Sequence, residues 1–146
     1  MIIMAANRRG ISPDLLIHPG ETISDILGER KITQKELAQR AGVSEPFLSD
    51  VIHGKKDISK KLAVGLEYAL GVPSSFWLNL QANYDSEFLS LHEEDTIQAE
   101  ERNIYKSIKS DVVIPDNLTQ DQIIIWLRRH FRVSNLVCLQ ELPEQA

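Results

Sequence analysis

The segment TQKELAQRAGVSEPFLSDVI, residues 33–52, constrains the fold more than any other part of the sequence. Thr33 is a favourable N-cap, and Glu36 three residues later completes a capping-box pattern. Gly42 is a natural left-handed end for this helix, and Ser44 caps a second helix directly after it. Two helices joined by so short a turn must cross steeply, so that the second one protrudes.

The same local signals divide residues 18–85 into five short helices. The first is predicted over residues 20–30, the fourth begins after Ser59, and Ser74 or Ser75 caps the fifth. Apolar residues recur within these helices at the period of a buried helical face, and no segment shows the alternation of a β-strand. The sequence therefore predicts an all-α fold.

Two further segments flank this five-helix region. Residues 1–17, with Arg8 and Arg9, predict an N-terminal arm. Residues 86–146 predict a helix near residues 97–108 and a last helix capped by Thr119, followed by a tail. We therefore predict three parts: an arm (1–17), a helix-turn-helix domain (18–85) and an acidic helical extension (86–146).

The net charge of −5 resides in the C-terminal half of the chain. Acidic and basic residues are equal in number between residues 18 and 71, whereas residues 72–146 contain six Lys or Arg and twelve Asp or Glu. Binding to a polyanion depends on local clusters of positive charge. A domain without net charge can therefore still bind DNA if its lysines and arginines lie on one side.

The reactive residues of the sequence argue against an enzyme. The single cysteine, Cys138, excludes an internal disulfide and fits a reducing cytoplasm. No apolar run reaches the length of a membrane span. His92 is followed by Glu93 and Glu94 but by no second histidine at zinc-protease spacing, and no phosphate-binding loop occurs. We predict a cytoplasmic protein without catalytic residues, metal or cofactor.

Residues 33–52 resemble the DNA-binding domain of the Cro and phage-repressor group, with small Ala38 at the helix crossing and apolar Val43 after the turn. The stretches HPGETISDIL, ISKKLAVGLEYALG and SSFWLNLQANYD resemble the HigA-type antitoxins of that group. The resemblance covers about residues 18–85. The later stretch LRRHFRVSNL resembles the connecting region of longer relatives that carry a metallopeptidase domain. The resemblance implies a five-helix, Cro/phage-repressor-like domain with a helical extension.

Members of that family act as small dimeric repressors of their own operon. They also neutralise a companion ribonuclease toxin of the HigB type, which cleaves messenger RNA. The resemblance thus implies a homodimer whose partners are double-stranded operator DNA and a HigB-type toxin. Two alternatives remain open: a stand-alone transcriptional regulator without a toxin, and a protein-interaction module that does not bind DNA. The second alternative rests on the acidic C-terminal half and on an apolar helix face that includes Trp126, Leu127 and Phe131, which packing on the core also explains.

Carried over position by position, the resemblance implies ten DNA-binding residues. Gln34 would hold a backbone phosphate, and His53 stands where relatives often have a phosphate-contacting asparagine. The complete set is Gln34, Ser44, Glu45, Pro46, Phe47, Ser49, Asp50, His53, Lys55 and Lys56.

Glu45 and Phe47 each allow two interpretations. Glu45 replaces the glutamine common in phage repressors. Its carboxylate could accept a hydrogen bond from cytosine, or could simply favour the positive end of the helix dipole. Phe47 could belong to the core, but Leu48 already points inward, so we favour contact with a thymine methyl group.

The fifth helix is apolar on more than one side, which a helix with a single buried face does not need. Phe76, Trp77, Leu80 and Tyr84 form a continuous apolar strip at helical spacing. We predict that part of this strip meets a second copy of the chain, with a wholly intramolecular core as the alternative.

Overall fold

The structure is a computed structural model that describes residues 16–143. This part of the chain contains seven α-helices and no β-strand, which confirms the predicted all-α fold. The helices are α1 (Pro19–Arg30), α2 (Gln34–Ala41), α3 (Glu45–Ile52), α4 (Lys60–Leu70), α5 (Ser74–Leu91), α6 (Ala99–Ile108) and α7 (Gln120–Phe131). Two 3-10 helices, Glu93–Thr96 and Leu136–Gln140, precede α6 and follow α7.

The chain divides into two compact units between Ser90 and Leu91. The sequence predicted the boundary after Asp85, but α5 continues past that residue because neither glycine nor proline interrupts it before Leu91. The predicted arm, with Arg8 and Arg9, lies almost wholly outside the described residues. No helix within residues 16–143 is long and apolar enough to cross a membrane.

The first unit is built around one apolar core that α1 to α5 share. Its large, fully buried apolar side chains include Ile23, Leu37, Leu48, Val51, Leu62, Leu66 and Trp77. Two glycines allow its helices to approach closely. A Cβ on Gly20 would lie 2.1 Å from the Val51 carbonyl oxygen, and one on Gly65 would lie 2.2 Å from that of Ala41. The absence of these two side chains lets α1 contact the end of α3 and lets α4 contact the end of α2.

Most of the predicted helix ends are present. The hydroxyl oxygens of Thr33, Ser44 and Ser59 each accept a hydrogen bond from the backbone N–H three residues later. Gly42 and Gly71 both end their helices at φ +75°, in the left-handed region that favours glycine.

Two details of the predicted helix ends are wrong. The Glu36 carboxylate does not return to the Thr33 backbone but lies 3.5 Å from Arg40 Nε, so only half of the capping box forms. The fifth helix begins at Ser74 itself, so neither Ser74 nor Ser75 precedes it as a cap. The Ser74 N–H donates instead to Glu67 Oε1, 2.7 Å away at the end of α4.

The second unit has its own core. Ile97, Ile124, Ile125, Leu127 and Leu136 are buried together there, with Trp126 and Phe131 packed against them. The apolar face of the last helix therefore packs on this core. The predicted tail after α7 is also folded, because Leu136 in the second 3-10 helix is fully buried.

An ion pair inside the second unit was not predicted. The Glu101 carboxylate is fully buried and accepts hydrogen bonds from Arg128 Nε and from the Leu136 N–H, both at 2.8 Å. Burial raises the pKa of Glu101, but these hydrogen bonds and the charges of Arg128 and Arg102 outweigh it and hold the pKa below its usual value. Arg128 is thus buried within the second unit.

Candidate DNA-binding site

Helix α3 exposes its first turn and buries its inner face. Leu48 and Val51 are fully buried against the core, whereas Ser44, Glu45 and Pro46 are exposed. Ser44 Oγ caps the helix by accepting from the Phe47 N–H at 3.3 Å, and its own hydroxyl proton remains available to an acceptor such as a phosphate. The N-terminal end of α3 is therefore held rigidly and presents polar groups to solvent.

Gln34 lies at the N-terminal end of the preceding helix. It is the first residue of α2, and its side chain is half-buried. The first backbone N–H groups of a helix have no partner within that helix and bind anions well. Gln34 and Ser44 thus both lie where a phosphate group would be favoured.

Phe47 has features of both interpretations, the core residue and the residue that contacts DNA. Its side chain is partly buried and packs against the core of the first unit. Its ring also lies 5.6 Å from Lys56 Nζ, a cation–π distance. The aromatic ring therefore helps to fix the loop after α3, and its remaining exposed surface is available to a ligand.

Asp50 holds the loop that follows α3. Its backbone carbonyl accepts from the N–H groups of Lys55 and Lys56 at 2.8 and 3.3 Å. Its carboxylate lies 3.7 Å from Lys56 Nζ. Asp50 therefore positions Lys56, and its predicted contact with DNA stays a prediction. Lys55 forms no salt bridge with any residue in 16–143 and is exposed.

The hydrogen bond of His53 fixes what its ring can offer to DNA. His53 Nδ1 lies 2.7 Å from the Ser49 carbonyl oxygen, which can only accept, so Nδ1 carries the proton. Nε2 is then an acceptor in the neutral ring and a donor only in the imidazolium form. A contact between His53 and a phosphate therefore requires the protonated ring. The Ser49 hydroxyl is 3.4 Å from the same nitrogen.

The predicted apolar strip on α5 separates into inward and outward residues. Trp77 is fully buried in the core of its own unit, so it cannot meet a second chain directly. Phe76 is 43% exposed, and Leu80 and Tyr84 are half-buried. Trp77 was placed on the strip because helical spacing alone does not show where α1 to α4 lie around α5. The outward residues remain candidates for a dimer interface.

No group of three or more His, Cys, Asp and Glu residues within 16–143 could hold a metal ion. Cys138 is half-buried in the second 3-10 helix of the second unit.

A family model described as "Helix-turn-helix" matches residues 23–77, which include every residue proposed above for DNA contact. Virulence-associated protein A' of Dichelobacter nodosus is 41% identical over 69 residues, which are 47% of this chain and 60% of that protein. The chain thus spans less than two thirds of that relative's length.

Two solved structures are similar to this chain in fold and sequence. The Pseudomonas aeruginosa antitoxin HigA, solved with the higBA promoter, is 29% identical with a TM-score of 0.50, covering 57% of this chain and 97% of that one. The antitoxin GraA is 27% identical with a TM-score of 0.52, covering 57% of this chain and 95% of that one.

Proposed function

We propose that this chain is a dimeric repressor and antitoxin of the XRE-type helix-turn-helix family, with relatives of the HigA type. As a repressor it binds the operator of its own operon. As an antitoxin it neutralises a HigB-type ribonuclease toxin.

The observation that carries the repressor function is the arrangement of α3 and the loop after it. Ser44, Glu45 and Pro46 project from a capped helix end whose opposite face is anchored in the core. Exposed Lys55 and Lys56 follow in a loop that hydrogen bonds to Asp50. In helix-turn-helix proteins, the first residues of the second helix contact base edges while flanking groups contact phosphates. This arrangement therefore supplies base-reading groups and phosphate-binding groups from one element.

The acidic C-terminal part does not oppose this function. DNA affinity depends on the lysine and arginine side chains at the contact surface. None of the proposed contact residues belongs to the second unit. The likeness to HigA supports the antitoxin role. Two half-sites related by a twofold axis, about one helical turn apart, are expected for a dimer.

The repressor function is tested by titrating the promoter duplex of the protein's own operon at several salt concentrations. Specific binding should exceed binding to a random duplex, and replacing Lys55 by Ala should flatten the log–log salt slope by about one unit. Lys106, exposed on α6, provides the matched control, and Lys106→Ala should leave the slope unchanged.

The antitoxin function is tested with the protein encoded by the adjacent reading frame. That protein should arrest growth and degrade messenger RNA when expressed alone, and co-expression of this chain should restore growth. If the adjacent protein has neither effect, the alternative function of this chain, a stand-alone transcriptional regulator, is favoured.

A protein-interaction module without DNA binding is the second candidate, because the second unit has a complete core of its own outside the matched residues 23–77. The absence of salt-dependent binding to any duplex at low ionic strength would favour it over the repressor.

A further inference from the structure

A groove of about 450 Å³ in the first unit is lined by none of the residues proposed for DNA contact. It lies between the loop after α3 and the last turns of α5. Its lining includes His18, Asp57, Tyr84, Asp85, Phe88 and Leu89. The lining thus contains two carboxylates and an apolar side but no lysine or arginine.

One wall of the groove holds a polar group without a hydrogen-bond partner. The His18 side chain is only 11% exposed, and its Nδ1 accepts from the Gly20 N–H at 3.0 Å. Nε2 therefore carries the proton of the neutral ring, and this buried nitrogen has no hydrogen-bond partner among residues 16–143. Asp57 Oδ1 lies 3.9 Å from this nitrogen, beyond hydrogen-bond distance. A buried donor left in this way costs free energy until an acceptor reaches it.

The second carboxylate is held in place from inside the fold. Gln81 Nε2 donates to Asp85 Oδ1 at 2.9 Å, and Gln81 Oε1 accepts from the Ile58 N–H at 2.8 Å. Gln81 is buried, so this chain of hydrogen bonds fixes the Asp85 carboxylate relative to the backbone that follows Asp57. The other oxygen of Asp85 can accept from a ligand.

The remaining side of the groove is apolar and open to solvent. Phe88 and Leu89, near the C-terminal end of α5, are 42% and 68% exposed although both are apolar. The Tyr84 ring meets His18 edge-on at 4.8 Å and lies 6.0 Å from the Phe88 ring. Aliphatic groups of a ligand would gain contact area here at little cost in polar desolvation.

We propose that this groove docks a basic segment of the toxin, with an arginine between Asp57 and Asp85 and an adjacent aliphatic residue on Phe88 and Leu89. A guanidinium group offers several donors in a plane and suits two carboxylates. Once the cation holds Asp57 in the groove, Asp57 can accept from the unpaired His18 N–H. This inference rests on the proposed antitoxin function and names the surface that performs it.

The groove is tested first without the toxin. The probe is acetyl-Leu-Arg-Leu-Arg-amide, titrated into the full chain while the ring resonances of His18 and Tyr84 are followed by NMR. Saturable shifts are expected with this peptide. They should be absent with acetyl-Leu-Asp-Leu-Asp-amide and lost in the double variant Asp57→Asn, Asp85→Asn. The absence of ring shifts with the arginine peptide would overturn the proposal.

The second arm measures binding of the protein encoded by the adjacent reading frame. The double variant should bind it about tenfold or more weakly, since two charge-assisted contacts are lost. Glu87→Gln removes an exposed carboxylate of α5 outside the groove lining and should change the affinity less than twofold. Thermal unfolding of each variant shows whether it is folded.

The outcomes separate this proposal from the antitoxin function. If the adjacent protein binds the wild type and the double variant equally, the groove is not its docking site and the antitoxin function stands. If that protein does not bind the wild type at all, the antitoxin function fails and the toxin is not the occupant of the groove, whether or not the arginine peptide binds there. Dissociation of a dimeric wild type into monomers by the double substitution would show that a second copy occupies the groove, which also overturns the proposal.

Discussion

At the scale of single residues, the two acidic side chains of α3 differ in what surrounds them. The Asp50 carboxylate lies 3.7 Å from Lys56 Nζ, whereas Glu45 forms no salt bridge with any residue in 16–143. A carboxylate that is paired with a lysine repels a phosphate less than an isolated one, but it also neutralises that lysine. Asp50 and Glu45 should therefore affect DNA binding in different ways.

Replacing Asp50 by Asn should strengthen binding to all duplexes, because Lys56 is then no longer neutralised. The gain should be modest, about 1 kcal/mol or less, since the pair is exposed. Lys56→Ala should cost more affinity in the Asp50→Asn background than in the wild type, which a double-mutant cycle of duplex titrations measures. Equal costs in both backgrounds would show that the pair does not affect DNA binding.

Replacing Glu45 by Gln should change which base is preferred at one position in each half-site. An amide can accept from cytosine and can also donate to adenine, so the discrimination should shift by roughly 1–3 kcal/mol. Selection of binding sites from a random duplex pool shows the change, with the same selection on the wild type as control. An unchanged site with a uniformly altered affinity would identify Glu45 as a helix N-terminal acid that does not read bases.

At the scale of helices, the crossing of α2 and α4 depends on a single glycine. A Cβ on Gly65 would lie 2.2 Å from the Ala41 carbonyl oxygen, and the backbone there cannot move without separating the two helices. Ala41 is the last residue of α2, directly before the turn that leads to α3. The packing at Gly65 therefore determines where α3 begins.

Gly65→Ala should lower the free energy of unfolding by roughly 1–3 kcal/mol, as overpacking of a tight contact does. Gly28 is the matched control, because a Cβ on this α1 residue would meet nothing within 4 Å. Gly28→Ala should stabilise the protein by about 0.5–1 kcal/mol, since alanine is the better helix former. Denaturant unfolding measures both values. A Gly65→Ala protein as stable as Gly28→Ala would contradict the close crossing.

At the scale of the whole molecule, the outward residues of α5 are expected to determine whether the protein forms a dimer. Phe76 is 43% exposed beside the fully buried Trp77, with which it makes an edge-on ring contact at 5.1 Å. Phe76→Asp should therefore give a folded monomer in sedimentation, because the charge faces solvent until a second chain covers it. Trp77→Ala should instead destabilise the fold by about 3–5 kcal/mol. A Phe76→Asp protein that remains dimeric would place the interface elsewhere.

The second unit should lose stability in acid because of Glu101. Its pKa in the folded protein lies below the ordinary value of 4.5, so the folded state binds this proton more weakly than the unfolded state does. The stabilisation is complete above about pH 4.5 and is lost as the pH falls through the lowered pKa. Amide exchange of Leu136, whose N–H donates to Glu101, reports on this unit.

Substitution of Glu101 provides the control for that pH dependence. Glu101→Gln should remove it and should destabilise the second unit at neutral pH by about 3–5 kcal/mol, because Arg128 is then buried without its countercharge. Glu100→Gln, at an exposed neighbouring position, should leave both properties unchanged. Acid sensitivity that persists in Glu101→Gln would assign it to another group.

The sequence by itself determined where most helices begin and end. The caps at Thr33, Ser44 and Ser59 need only a hydroxyl and an N–H three residues later, and Gly42 needs only its own backbone freedom. These interactions are complete within one turn of chain, so residues nearby in sequence are sufficient to predict them. The helix-turn-helix segment was recognisable for the same reason.

Only the tertiary structure decided which side chains are available to a partner. Helical spacing placed Trp77 and Phe76 on one strip, but the positions of α1 to α4 bury the first and leave the second exposed. Glu101 meets Arg128, 27 residues later, and a pairing of that kind depends on how α6 and α7 pack rather than on any local pattern. The groove at His18 likewise joins residues from both ends of the first unit. Contacts between distant segments form only when the core brings them together, so no short stretch of sequence contains them.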